Sequence, residues 1–157
     1  MGISTRPHRS TADGRTIDIA ETAAPPLAPE QHAIDLAQLS RMTLGERSLE
    51  QEVLALFNLQ AGILLARMRH AAPDAVAGLA HTLTGSARGV GAWDVAAAAE
   101  KVEQLASGPN AGALDAAVSR LSAAVIDAQT AIAELQRGDV IERQTRAAEA
   151  RVGNHEF

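Results

Sequence analysis

The sequence predicts an all-α protein, an antiparallel up-down-up-down four-helix bundle with a short N-terminal lead-in helix. Three observations favour this fold class. Apolar residues recur at steps of three and four along four long segments, which is the period of an amphipathic helix. Short breaks rich in Gly, Pro or Asn separate these segments. Alanine is abundant and only two Phe and one Trp are aromatic, which suits closely packed helices better than a sheet.

Five helical segments are predicted in order along the chain. A short helix over residues 34–42 is expected to cover one end of the bundle, and Thr43 and Glu46 have the spacing of a capping box before the next helix. Four longer helices are predicted at residues 46–69, 73–90, 93–106 and 114–135. The inward face of the first long helix is predicted to carry Leu49, Val53, Leu56, Phe57, Ile63, Leu64 and Met68.

The last predicted helix carries apolar residues at alternating steps of four and three, which is typical of a narrow left-handed packing seam. Gly138 is expected to end this helix. A coiled-coil homodimer through residues 114–135 is the alternative packing. We favour the intramolecular bundle, and hence a monomer, because three neighbouring amphipathic helices also need cover.

The segments on either side of the predicted bundle differ from it in composition. Residues 1–31 are rich in Ser, Thr, Arg, Ala and Pro without apolar periodicity, and they predict a disordered leader. The bundle is assigned to residues 32–137. Residues 138–157 are polar and charged, and either a helical extension or a disordered tail is consistent with them.

Composition excludes several classes of function. The net charge of −5 and the lack of a basic patch with aromatic residues argue against nucleic-acid binding. No apolar run reaches the roughly 20 residues that span a bilayer, and the chain start lacks a hydrophobic signal core. The absence of cysteine fits a reducing compartment. A cytoplasmic protein without membrane contact is therefore expected.

His81 is predicted to stand on the outward face of the 73–90 helix. At about 100° per residue it points away from Leu79 and Leu83, which fall on the apolar face. Its own side is predicted to include Ala77, Gly78, Thr84, Gly85 and Arg88. Glycine costs about 1 kcal/mol relative to alanine in a helix interior, so the two glycines beside His81 suggest that space is kept for a large partner.

An exposed imidazole of this kind is a candidate nucleophile, because part of it is neutral near pH 7. No second His lies four positions away and the chain has no Cys, so no metal pair is predicted. No acidic residue lies within one turn on the same face of the helix. The nearby hydroxyls of Thr84 and Ser86 and the cation of Arg88 suit a group carrier whose catalytic machinery belongs to another protein. A surface histidine without a function is the alternative.

The segment around His81 matches a known signature. It reads His81-Thr82-Leu83-Thr84-Gly85-Ser86, followed by Gly91-Ala92. This pattern resembles that of histidine phosphotransfer (HPt) domains, the phosphocarriers of bacterial phosphorelays, which reads roughly His-x-Leu-Lys-Gly-Ser with a Gly-Ala step further along. The resemblance extends from Ile34 to Leu135. Thr84 departs from it, because the family usually has a Lys there.

The resemblance implies that His81 exchanges a phosphoryl group through Nε2 with the receiver-domain aspartate of a response regulator or hybrid kinase. A sensor or hybrid histidine kinase is a further candidate partner. Mg²⁺ is expected on the receiver, so this chain is expected to need no cofactor or metal and not to be an enzyme by itself. The phosphate is expected to lie near Thr84, Gly85, Ser86 and Arg88. The partner is expected to dock near Ala77, Gly78 and Gln60.

Two further functions are alternatives to the carrier. Because Thr84 replaces the family Lys, a module that binds a receiver or kinase without phosphate chemistry, as a scaffold or inhibitor, stays open. A bundle enzyme or metal carrier is disfavoured, because the sequence has no Cys, no Glu-x-x-His pair and no facing carboxylates on the predicted helices.

Overall fold

The computed structural model describes residues 32–153, so the predicted leader at residues 1–31 lies outside the described residues. The described part of the chain forms helices and contains no strand, which confirms the all-α class. Five helices follow one another: α1 (Leu36–Thr43), α2 (Arg47–Met68), α3 (Pro73–Val90), α4 (Trp93–Ala106) and α5 (Ala111–Val152).

The four long helices contact one another in a ring. Helix α2 packs on α3, α3 on α4, α4 on α5, and α5 returns to α2, while α1 lies against α2 and α3. The helices are joined by short connections at residues 69–72, 91–92 and 107–110. This is a four-helix bundle with a lead-in helix, and the up-and-down order of the helices stays a prediction from the short connections.

The seam of α5 is buried within the bundle of this one chain. Leu121, Val125 and Ile132 are almost fully buried, together with Phe57 of α2 and Leu83 of α3. Burying such a side chain contributes about 1.5–3 kcal/mol relative to leaving it exposed. The structure therefore uses the seam for intramolecular packing, as we favoured over the coiled-coil homodimer.

The turn between α3 and α4 depends on Gly91. This residue has φ +75°, in the left-handed region, and α3 ends there. The next residue closes the helix end, because the Ala92 N–H donates to the Ala87 carbonyl at 2.8 Å. The N–H of Asp35, just before α1, donates to the Gly91 carbonyl at 2.9 Å. A Cβ at Gly91 would lie 2.6 Å from the Asp35 carbonyl oxygen. Only glycine fits here, so the Gly-Ala step of the sequence signature has a structural role.

The predicted capping box between α1 and α2 is wrong. Helix α1 continues through Thr43, whose hydroxyl donates to the Leu39 carbonyl at 2.8 Å. Glu46 is the N-cap of α2 but makes no side-chain capping hydrogen bond. The hydroxyl that a capping box would use is thus already bound to the backbone of the preceding helix.

The predicted stop at Gly138 is also wrong, because α5 continues to Val152. Polar contacts with α2 support the helix beyond the glycine. Arg47 pairs with Glu142 at 2.9 Å, and the Gln51 amide donates to Asp139 at 2.7 Å. These contacts help to offset the cost of about 1 kcal/mol for one glycine inside a helix.

Helix α2 alone is long and apolar enough, by length and composition, to cross a membrane within the described part of the chain. Its residues Leu54, Phe57 and Leu64 are instead buried in the core of the bundle. A core helix passes the same test, so this is weak evidence for a membrane span.

Candidate functional site

His81 lies near the middle of α3 with its ring directed to solvent. Its neighbours Ala80 and Leu83 are fully buried, whereas the His81 side chain is 77% exposed. The core contacts of Ala80 and Leu83 fix the rotation of the helix about its axis. The imidazole is therefore held outside the bundle by a rigid element.

The two glycines predicted to flank the imidazole are both exposed. A Cβ built on Gly78 or Gly85 would meet no atom within 4 Å outside its own helical backbone. Neither glycine is needed for a close helix–helix contact. The surface on either side of His81 along α3 is open to a partner.

The ring of His81 is hydrogen-bonded to Glu103 of α4. Nδ1 lies 3.1 Å from Oε1 and 3.3 Å from Oε2 of the carboxylate. An ionised carboxylate can only accept, so we assign the bonding proton to Nδ1. In the neutral ring this assignment leaves the lone pair on Nε2, which is the nitrogen expected to react.

Sequence reasoning does not identify Glu103 as a neighbour of His81. The two residues lie on different helices, so no motif within α3 contains both. A usable signal did exist: His81 and Glu103 are equally far in sequence from Ala92, in the tight turn between α3 and α4. Residues placed symmetrically about the turn of a helical hairpin lie at a similar height on its two helices.

The predicted outward position of Thr84 is wrong. Thr84 is 5% exposed, and its hydroxyl donates to the Ala80 carbonyl at 2.9 Å. It lies four residues after buried Ala80, on the same side of the helix, where neighbouring helices cover the flank. The position at which the family usually has a Lys therefore presents no group to solvent here.

Ser86 and Gln60 form a contact between α3 and α2. The Ser86 hydroxyl lies 2.7 Å from the Gln60 side-chain oxygen and 3.2 Å from the Thr82 carbonyl. Gln60 thus reaches α3, where it bonds to Ser86 and not to His81. Both side chains are partly buried at this contact.

The remaining predicted site residues lie at the edge of the site. Arg88 is exposed and pairs with Glu100 of α4 at 3.4 Å, a surface pair of the kind that contributes about 0–1 kcal/mol. Ala77 is half-buried and packs against the core rather than standing free on the His81 side. Within residues 32–153, no three His, Asp or Glu side chains are grouped as metal ligands.

An exposed apolar patch lies beside the site on α2. We define the α2 patch as Leu56, Leu59 and Ile63, all half or more exposed. These side chains line a groove with Leu79 and Thr82 of α3, and Thr82 directly follows His81. Contiguous apolar patches of this kind mark protein interaction surfaces.

The prediction that Leu56 and Ile63 face the core is wrong, because both lie in the exposed α2 patch. Helix α2 is apolar on most of its circumference, so its periodicity does not identify one buried face. Packing against α3 and α5 selects Leu54, Phe57 and Ala61 for the core. Leu56, Leu59 and Ile63 are left at the surface.

Known proteins resemble this chain in sequence and in structure. The profile of the Hpt domain family matches residues 45–138. Among solved structures, the chain is similar to the histidine phosphotransferase ShpA from Caulobacter crescentus, with 28% sequence identity and a TM-score of 0.54. That similarity covers 71% of this chain and 98% of the ShpA chain. No curated protein sequence matches significantly.

Proposed function

This chain belongs to the Hpt domain family, and on that premise we propose that it carries a phosphoryl group on Nε2 of His81. Hpt domains are phosphotransfer carriers in phosphorelays rather than classical enzymes. The observation that supports His81 as the carrier is its imidazole, which is 77% exposed and hydrogen-bonded through Nδ1 only. Nε2 is therefore free to meet a phosphoryl group.

The proposed exchange partner is the receiver domain of a response regulator or hybrid kinase. The Nε2 lone pair attacks the phosphorus of the receiver's aspartyl phosphate, the bond from phosphorus to the carboxylate oxygen breaks, and the aspartate leaves as a carboxylate. Transfer of this kind depends on in-line positioning and charge neutralisation. The receiver would supply Mg²⁺ and its acidic pocket, and this chain would supply no cofactor.

The surface around His81 supports docking of a folded partner. The α2 patch offers apolar area on one side, while Gly78 and Gly85 leave the approach along α3 clear. Arg88 pairs with Glu100, and Thr84 is buried, so the partner is expected to neutralise most of the phosphoryl charge. Members of this family are typically soluble, and we expect a cytoplasmic monomer.

The test is transfer from a phosphorylated receiver domain to this protein. The wild-type protein is expected to gain an acid-labile, alkali-stable label, and His81→Gln is expected to gain none. His70→Gln is the matched control, because His70 is also exposed and lies at the connection between α2 and α3. Undiminished labelling of His81→Gln would remove His81 from the proposed role.

A receiver- or kinase-binding module without phosphate chemistry is the second candidate function. It is favoured by the negative charge of the Glu103 carboxylate, which is hydrogen-bonded to His81. A buried Thr84 also replaces the family Lys, so no lysine at that position can neutralise a phosphoryl group. In that case a receiver would bind wild-type protein and His81→Gln equally well. No phosphohistidine would form with any phosphorylated receiver that binds.

A further inference from the structure

We propose that the outer face of α5, near its C-terminal end, is a docking surface for an amphipathic helix of another protein. The surface is built on residues 139–152, which we define as the α5 extension and which lie beyond the Hpt profile match at residues 45–138. The carrier function proposed above assigns no role to this part of the chain. Because α3 and α5 lie diagonally opposite in the ring of helices, a helix bound here would leave His81 open to a receiver domain.

The α5 extension is helical although the bundle covers little of it. Its last polar contact with the bundle is the hydrogen bond that Arg143 donates to the side chain of Gln51 in α2. Every side chain at residues 140–152 is exposed, and nine residues continue the helix past Arg143 over about 14 Å. An isolated helical segment this short is marginal in water. A partner packed against the extension would supply the stabilising contacts that the bundle does not.

One face of the extension carries small and apolar side chains at coiled-coil spacing. We define the α5 strip as Gly138, Ile141, Thr145, Ala148 and Val152. Their alternating steps of three and four are the a and d repeat of a two-stranded coiled coil. At about 100° per residue, the strip lies on the side of α5 opposite the buried Ile132. Ile141 is 62% exposed and Val152 is 73% exposed, so the strip faces solvent.

The α5 strip continues into an open groove between α1 and α5. The groove has a volume of about 430 Å³, and its apolar lining includes Leu36 of α1 together with Ala131, Leu135 and Gly138 of α5. Because Gly138 belongs to both the groove and the strip, the two form one continuous surface. From Ala131 to Val152 this surface is about 32 Å long, which is the length of a helix of three heptads.

Four charged side chains without an ion-pair partner among residues 32–153 border this surface. Glu134 lies in line with the α5 strip, and Glu149 lies on one side of it. Arg137 and Arg151 lie on the other side. Charges beside a coiled-coil seam determine which helix pairs and in which direction. The surface therefore fits a helix with large apolar side chains in its seam, acidic residues opposite both arginines and basic residues opposite both glutamates.

A second copy of this chain fits the same surface poorly. Gly138, Thr145 and Ala148 of two copies would face one another, and side chains this small leave the seam unfilled. Parallel pairing would place Glu134 opposite the same residue of the other copy, and antiparallel pairing would bring the two Glu149 sides together. Like charges so placed repel each other. The large side chains and opposite charges that complete this surface must therefore come from a different protein.

The first experiment measures binding of a designed helix to the full-length protein by fluorescence anisotropy. The probe is a labelled peptide of three heptads with Leu in its seam, Glu opposite Arg137 and Arg151, and Lys opposite Glu134 and Glu149. We expect this peptide to bind, and a peptide with Glu and Lys exchanged to bind about tenfold more weakly at low salt. Equal binding of the two peptides, or no binding of either, would overturn the proposal.

Two matched substitutions locate the bound peptide on the helix. Ala148→Asp is expected to weaken binding about tenfold, because it places a charge without a partner in the seam. Ala150→Asp is the control, since Ala150 is equally exposed in the same turn but points away from the α5 strip. Both substitutions carry the same loss of helix propensity. An equal loss of binding in the two variants would contradict docking on the strip.

The second experiment identifies what covers the strip in the cells that make this protein. A photo-reactive amino acid replaces Ala148 or Ala150 in the full-length chain, and mass spectrometry reads the cross-linked segment. We expect cross-links from position 148 only, to a segment of another protein with apolar residues at heptad spacing. Cross-links to a second copy of this chain, to a segment without that spacing, equally from both positions, or to nothing would overturn the proposal.

Discussion

At the scale of single residues, two exposed glycines leave the surface beside the imidazole without side chains. Gly78 and Gly85 are exposed in the middle of α3, and space is open where their side chains would be. A glycine at such a position lowers stability relative to alanine without improving any contact in the bundle. This loss of stability is consistent with a docking role, because a surface without side chains leaves room for an approaching receiver domain.

Substitution of Gly85 should therefore separate stability from transfer. Gly85→Ala is expected to raise the free energy of unfolding by about 0.5–1 kcal/mol, because it restricts the unfolded chain and fits an open helical position. Gly85→Arg should remain folded but transfer phosphate much more slowly, because its long side chain obstructs docking beside His81. Urea unfolding and receiver transfer rates measure the two effects.

Gly138→Ala is the matched control for these variants. Gly138 is also helical with open space around its Cβ position, but it lies on α5. It should give the same gain in stability without altering transfer. Normal transfer by Gly85→Arg would show that the partner does not approach along α3.

At the scale of secondary-structure elements, the joint between α1, α3 and α4 holds the site helix in place. Gly91 ends α3, its carbonyl accepts from the Asp35 N–H, and the Asp35 side chain caps α1 through the N–H groups of Ala37 and Gln38. The Trp93 indole at the start of α4 donates to the same carboxylate at 2.9 Å. Three helices therefore meet at one residue pair, Asp35 and Gly91.

Gly91→Ala should destabilise the bundle by more than about 1 kcal/mol. Alanine at this position would have to adopt the left-handed backbone conformation, which is strained for a residue with a side chain. Its Cβ would also lie 2.6 Å from the Asp35 carbonyl oxygen, which belongs to the backbone and cannot easily move. Gly89→Ala, two residues earlier in α3, has open space and should be neutral or stabilising. Equal stability of the two variants by urea unfolding would contradict the joint described here.

At the scale of the whole molecule, the same joint links folding to pH. The hydrogen bond from the Trp93 indole, supported by the Gln38 and Ala37 N–H groups, holds the pKa of Asp35 below its usual value of 3.8. A carboxylate whose pKa is lower in the folded state contributes stability above the unfolded value. That contribution is lost as the pH falls through the lowered pKa of the folded state.

Acid titration should therefore show a change at Asp35 below pH 3.8. Trp93 is the sole tryptophan of the chain, so its fluorescence reports on the joint directly. We expect a fluorescence change in the wild type at acid pH, together with weaker resistance to urea. Asp35→Ala should lack this component of both changes, and an identical acid transition in Asp35→Ala would remove Asp35 as its source.

The local sequence determined where α3 and α4 lie and which residue is the best candidate for the chemistry. Apolar periodicity and chain breaks are local properties, and they located α4 at residues 93–106 and α3 from Pro73 to Val90. The exposure of His81 followed from the same period, because its neighbours Leu83 and Ala80 had to face the core. The signature around His81 then indicated the family.

Only the tertiary structure decided how the helices surround that residue. It buried Thr84, exposed the α2 patch and brought Glu103 from α4 to Nδ1 of His81. Each of these depends on which helices are neighbours and how each is rotated against the others. A helix with apolar residues on most sides, such as α2, leaves that choice to packing, because several faces could be buried at similar free energy.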